Sequence, residues 1–199
     1  MLSADIHYAL KRAKLVAETD PLTGLYNLRA FTMIVNRAFD QAVRYSHPLS
    51  LIMMDSDNLK GVNDSYGHEA GNRLLKQLAT CVQGQLRSSD IFARYGGDEF
   101  VVLLPETGAQ GARDFGERIR RTVEARGFEI SEQTIQTTVS LGVATYPDDG
   151  ADLAILLDKA DKAMYRSQQE GRNRATHVGK EHPMLPRQAP ALATSAYAD

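Results

Sequence analysis

The sequence predicts an α+β fold, an α/β sandwich in which one central, largely antiparallel sheet is flanked by helices. Three observations carry this. Apolar runs of strand length, "PLSLIMMD" (48–55) and "FVVLLP" (100–105), are long enough only for buried strands. Segments between them space their apolar residues as helices do. The order that results is helix, strand, helix, hairpin, helix, strand, helix, which suits a sheet built partly from hairpins rather than a regular βαβ alternation.

The elements follow in order. Residues 3–18, "SADIHYALKRAKLVAE", place Ile6, Ala9/Leu10, Ala13 and Val16/Ala17 at helical spacing. Such a helix either caps the domain or is the end of a longer helix arriving from elsewhere. "TDPLTGLYN" (19–27) is turn-rich, and "LRAFTMIVNRAFDQAVRY" continues as a helix. The first strand ends abruptly in "DSDNLKGVND", and "NLKGVNDSYGHEAGN" (58–72) reads as a loop. A helix from about Gly67 to Leu86 then buries Leu74, Leu75, Leu78 and Val82.

"IFARY" and "FVVLLP" form a hairpin around Gly96 and Gly97, which allow a tight turn. The arginine-rich "GARDFGERIRRTVEAR" is helical, "TIQTTVSLGVATYP" (134–147) is a strand by its β-branched content, and 152–171 is an amphipathic helix stopped by Gly171. Past Lys180 the Pro- and Ala-rich sequence loses periodicity and reads as a disordered tail. The expected division is a linker helix at 1–18, one domain at 19–178 and the tail at 179–199.

Composition bounds the function. The 199 residues are 43% hydrophobic and 24% charged, enough for one globular domain with a core. A formal net charge of −2 gives no basic excess to meet a phosphate backbone, so nucleic-acid binding is not expected as the main role. The single cysteine, Cys81, sits in an apolar helical context and reads as a core residue, with no disulfide framework possible in one chain. No apolar run approaches transmembrane length and no signal-peptide h-region opens the chain; a cytoplasmic location without membrane contact is the expectation.

Turn chemistry explains Gly96 and Gly97 but leaves Asp98 and Glu99, which are either a solvated acidic tip or carboxylates awaiting a cation. Asp55 and Asp57 end the first buried strand. If the two strands are neighbours, these acids converge, and carboxylates with water and substrate phosphates make a magnesium site. Two such ions suit an in-line phosphoryl displacement. Between the strands, backbone N–H groups with Lys60 would cradle phosphates, and Asn63 and Asn72 offer hydrogen bonds to a base edge.

Five motifs occur in order: "DPLTGLYNLRAF", "DSDNLKGVNDSYGHEAGN", "RYGGDEF", "SLGVA" and "ADKAMYRSQQEGRN". From Asp20 to Asn173 the chain resembles the GGDEF domain of bacterial diguanylate cyclases. The resemblance implies a nucleotidyl-cyclase, palm-like sheet and the condensation of two GTP into cyclic di-GMP with release of pyrophosphate. It implies Asp98 and Glu99 as catalytic acids and Asp55, the Ser56 carbonyl, Asp98 and Glu99 as ligands of two Mg2+ or Mn2+ ions. Leu59, Lys60, Asn63, His68, Asn72, Gly96, Gly97 and Arg172 are implied on the nucleotide. Each domain of an antiparallel homodimer would hold one GTP, under an upstream sensor. "RSSD", Arg87 to Asp90, matches the family's RxxD motif and implies an inhibitory site for the product; a surface ion pair is the plainer alternative.

Three positions depart from the family pattern. Asn72 stands where an aspartate normally meets guanine, Gln168 where a lysine meets phosphate, and Leu59 where phenylalanine is common. A neutral amide at 72 forfeits a charge-assisted bond, about 1–2 kcal/mol, and suits an adenine edge as well as a guanine one. Weaker GTP binding is therefore expected. A receptor without turnover and a cyclase of relaxed purine specificity stand as alternatives.

Overall fold

The computed structural model describes residues 2–130 and 132–178; the tail expected at 179–199 lies outside them. Helix α1 (Leu2–Glu18) leads through a turn to α2 (Leu28–Tyr45). Asn27 caps α2 in extended conformation, its side chain accepting from Ala30 N–H. Strand β1 (Leu49–Ser56) is followed by α3 (Leu59–Tyr66) and α4 (His68–Gln83). The hairpin strands are β2 (Ile91–Gly96) and β3 (Glu99–Pro105), then α5 (Ala109–Ala125), β4 (Gly127–Ile130), β5 (Gln133–Gln136), β6 (Val139–Tyr146), α6 (Leu153–Gln169) and β7 (Arg174–His177).

The main sheet has the order β2-β3-β1-β6-β7, antiparallel except for the β6–β7 pair, and β4-β5 is a separate hairpin. Strand β1 lies at its centre with every residue buried except Asp55. Burial on both faces is why it reads as an unbroken apolar run. Alternate β1 side chains divide between two cores. Ile52 and Met54 join the Leu74–Leu78 face of α4 and Phe115 and Ile119 of α5; Leu51 and Met53 join Phe31 and Val35 of α2 and Leu156 and Met164 of α6.

Helix α6 lies unusually close to β6. A Cβ at Gly142 would overlap the backbone of Ala160 and Met164, so the glycine of "SLGVA" is what permits the approach. That contact sets the height of α6 over the sheet and brings its C-terminal end beside the end of β1.

Three elements differ from the sequence expectation. Residues 59–66 are helical rather than a loop: α3 buries Val62, and Gly67, at φ 83°, breaks it from the expected helix α4. Eight residues carry too little periodicity to announce a helix. The strand expected at 134–147 is two strands, because Gln133–Gln136 pair with β4 and only Val139–Tyr146 join the main sheet. Strand β7, "RATH", has no apolar alternation and exists through its parallel pairing with β6. Among the described residues, no helix is long and apolar enough to cross a membrane.

Candidate active site

Strand register brings the acids together. Asp55 faces Glu99 across the β1–β3 ladder, and Ser56 N–H donates to the Asp98 carbonyl at 3.3 Å. The turn between β2 and β3 is made by a register irregularity after Arg94 and by Gly97 at φ 48°. A bulge there re-aims the chain so that Asp98 faces the end of β1. Asp55 and Asp98 line a cleft of about 560 Å3 together with Ser56, Leu59, Lys60, Gln168 and Arg172, while Glu99 lies outside its lining.

Crowding shows in the electrostatics. The Asp55 carboxyl is pushed up to about 7, chiefly by burial, then by the charges of Asp98 and Glu99, while a hydrogen bond from the Gln168 side chain works the other way. A cation beside this carboxylate would remove the repulsion part of that shift. The donors are hard oxygens, suited to Mg2+ or Mn2+. Among the described residues, no three His, Cys, Asp or Glu side chains are grouped closely enough to hold a metal ion by themselves. Magnesium fits such an open set, because it keeps waters and takes substrate phosphates as ligands.

Arg94 braces the turn. Its Nη1 meets both oxygens of Asp20 at 3.1 and 3.2 Å, and its Nε and Nη2 donate to the Gly97 carbonyl at 3.0 and 2.6 Å. Asp20 also accepts from Thr23 N–H and Oγ1. Those bonds and Arg94 outweigh burial and hold its carboxyl below the usual range. The motif at 20–23 thus contacts the β2–β3 turn through one guanidinium.

Asp57 takes a different part from Asp55. Its carboxylate accepts from Thr138 Oγ1, Ser140 Oγ and Asn173 N–H, and its own N–H donates to the Thr138 carbonyl. Asn173 belongs to a left-handed run, Gly171, Arg172 and Asn173 at φ 109°, 63° and 47°. Left-handed non-glycine residues cost about 1–2 kcal/mol, somewhat less for asparagine, so the run needs external anchors. The Asn173 side chain supplies two more, accepting from Arg120 Nη1 at 2.9 Å and donating to Glu124 at 2.6 Å.

Not every expected site residue lines the cleft. Asn63, His68 and Asn72 lie on α3 and α4 beyond its lining, Asn63 against Gly71, where a Cβ would overlap its Oδ1. His68 is exposed and Asn72 half-buried. Gly96 and Gly97 are exposed at the turn. Arg87 and Asp90 sit apart, between α4 and β2, where the Asp90 carboxylate accepts from the Arg87 backbone N–H at 2.8 Å. The Arg87 guanidinium makes no ion pair among the described residues, so the surface pair is not what is seen. Asp64 and Gln169 line the cleft without having been singled out from sequence. The Asp20–Arg94 brace and the Asp57–Asn173 anchor were also missed; the only sequence signal was an asparagine following Gly-Arg at a helix end, a residue that tolerates left-handed backbone.

Comparison with known proteins adds the lineage. Residues 17–174 match the family model described as "Diguanylate cyclase, GGDEF domain". Diguanylate cyclase A of Treponema denticola is 38% identical over 148 residues, 73% of this chain and 40% of that protein. The response regulator PleD of Caulobacter vibrioides is 35% identical over 167 residues, 83% of this chain and 36% of the relative. The chain thus spans less than half the length of these two curated relatives. Among solved structures, the GGDEF domain of PA1120 (TpbB or YfiN) from Pseudomonas aeruginosa superposes with a TM-score of 0.78 at 35% identity, covering 81% of this chain and 94% of that one. The coiled coil and GGDEF domain of DgcB from Caulobacter crescentus, in complex with c-di-GMP, gives 0.82 at 29% identity, covering 88% and 93%.

Proposed function

The chain belongs to the GGDEF family of diguanylate cyclases, and from that premise we propose that it condenses two GTP into cyclic di-GMP, releasing two pyrophosphates. The observation that carries the proposal is the convergence of Asp55, Asp98 and Glu99 at one end of the β1–β3 pair, beside a cleft that also holds Lys60 and Arg172. Asp55, the Ser56 carbonyl, Asp98 and Glu99 would hold two divalent cations, Mg2+ or Mn2+. When bound, these supply charge neutralisation at the attacking and leaving oxygens of the displacement.

The protein's own groups do the rest. Asp98 receives the 3′-hydroxyl proton as O3′ bonds to the α-phosphorus of the second GTP and the bond to the bridging oxygen of pyrophosphate breaks. Lys60 and Arg172 meet the triphosphate, Leu59 walls the base, and Asn63 and Asn72 address its edge. His68, Gly96 and Gly97 complete the nucleotide surround. One domain binds one GTP, so an antiparallel homodimer assembles the reacting pair. Arg87 and Asp90, exposed and half-buried on the surface, form the product-inhibition site, where the unpaired guanidinium is free to fork onto a guanine edge or a phosphate.

The domain bounds are 19–178, preceded by a signalling helix. Support for the helix reading is the exposure of Ile6, Tyr8, Leu15 and Val16 on α1, apolar side chains that a capping helix would bury. A sensor upstream would act through the dimer geometry of that helix. A second reading, a receptor that binds GTP or cyclic di-GMP without turnover, is favoured by one observation: Gln168 reaches Asp55 with a neutral amide where a cation would serve the phosphates.

GTP turnover with Mg2+ at high protein concentration, alongside Asp98→Ala, tests the proposal. Cyclic di-GMP and pyrophosphate that disappear in the variant are the expected result. Retained nucleotide binding with no product would transfer the chain to the receptor reading.

A further inference from the structure

We propose that Asp57 is a positioning residue for Arg172 rather than a metal ligand, acting through the backbone of Asn173. The inference rests on the reading of Arg172 as a triphosphate contact. By sequence, Asp57 stands two residues after Asp55 at the end of the same strand and borders the same cleft. Its oxygens are committed elsewhere: Oδ2 accepts from Thr138 Oγ1 at 2.6 Å and Asn173 N–H at 3.0 Å, and Oδ1 accepts from Ser140 Oγ. A cation would have to displace hydroxyl and amide donors that already satisfy the carboxylate.

What those bonds hold is the left-handed run from Gly171 to Asn173. Arg172 N–H donates to the Ser167 carbonyl at 2.9 Å on its helix side, and Asn173 N–H donates to Asp57 on the other. The Arg172 Cα is therefore fixed between the end of α6 and the end of β1, and its side chain lines the cleft from there. Arg120 and Glu124 grip the Asn173 side chain from α5. Losing the Asp57 anchor releases the run to ordinary backbone and takes the guanidinium away from the phosphates, while the acids at the hairpin keep their places.

The two roles for Asp57 predict different variants. Asparagine keeps an oxygen acceptor for the Asn173 N–H and loses the negative charge that an aspartate ligand would give a metal. Positioning therefore predicts that Asp57→Asn keeps KM for GTP within about twofold of wild type, whereas Asp57→Ala raises KM about tenfold with kcat and Mg2+ dependence little changed. Asn173→Gly and Asn173→Ala lose the same side-chain bonds, but glycine adopts φ 47° freely, so the glycine variant keeps the lower KM. Hydrogen exchange at the amide of position 173 provides a readout independent of turnover: protected in wild type and Asp57→Asn, unprotected in Asp57→Ala.

Should Asp57→Ala fail to fold, Asp57→Asn and the Asn173 pair decide the matter. A wild-type protein that neither binds nor converts GTP would defeat the cyclase reading while the exchange experiment still reports the anchor. The positioning role is overturned if Asp57→Asn loses Mg2+ activation as a metal-ligand variant does. Equal KM values for the two Asn173 variants, or an amide at 173 that stays protected without the Asp57 carboxylate, would overturn it as well.

Discussion

At the scale of single residues, environment separates two aspartates that the sequence presents as a pair. Burial, and then the charges of Asp98 and Glu99, push the Asp55 carboxyl up to about 7, while Asp57 is satisfied by three donors. The sign of the Asp55 effect follows from linkage. Its folded pKa is raised above the unfolded value, so its contribution to stability is full below about pH 4 and is lost as pH rises to about 7. In metal-free protein this contribution falls across the window by at most about 4 kcal/mol, less where water reaches the carboxyl, against the opposite trend of lowered carboxylates such as Asp20. Asp55→Asn should flatten that dependence, and a melting series in chelator from pH 4 to 8 checks it. Mg2+ affinity should run the other way, weakening as pH falls below about 7, because proton and metal compete for one carboxylate.

At the scale of elements, the β2–β3 hairpin is not self-supporting. Its turn follows a bulge in β2, and the Gly97 carbonyl points into the guanidinium of Arg94, whose other side is held by Asp20. Both charged side chains are mostly buried, at 18% and 15% exposure, so removing one leaves its partner poorly solvated. Arg94→Ala is expected to cost about 3 kcal/mol of stability and at least about tenfold in turnover. Denaturant unfolding together with GTP kinetics checks both, and unchanged kinetics would show that the turn holds itself. The same scale accounts for "SLGVA": a strand glycine there exists for helix contact, since α6 occupies the space of a Cβ.

At the scale of the whole molecule, helices α2 and α6 cover one face of the sheet and α4 and α5 the other, which leaves the end of β1 open as the cleft. Helix α1 is joined to this body by the Asn27 side chain, which donates to the Ala17 and Thr19 carbonyls, and by Asn27 N–H on the Glu18 carbonyl. It ends against the Asp20 turn that Arg94 reads. Deleting residues 1–18 is expected to raise the concentration needed for half-maximal turnover without altering the fold. Sedimentation and activity measured over one dilution series check this, and identical profiles would discard a dimerising role for the helix.

Much of this architecture was legible in the chain. The buried strand at 48–55, the hairpin, the amphipathic helices and the acids Asp55, Asp98 and Glu99 all follow from periodicity, turn chemistry and motif order. These are local signals, because each depends on residues within a few positions of one another. What tertiary structure alone decided is where long-range partners fall. Asp57 bonds residues 81, 83 and 116 positions away, and Arg94 meets an aspartate 74 positions before it. Strand β7 is a strand only because β6 lies beside it, and 133–136 left the main sheet because β4 offered a nearer partner. A carboxylate carries no mark of whether a cation or three hydrogen-bond donors will satisfy it. That choice belongs to whichever groups the folded chain brings within about 3 Å.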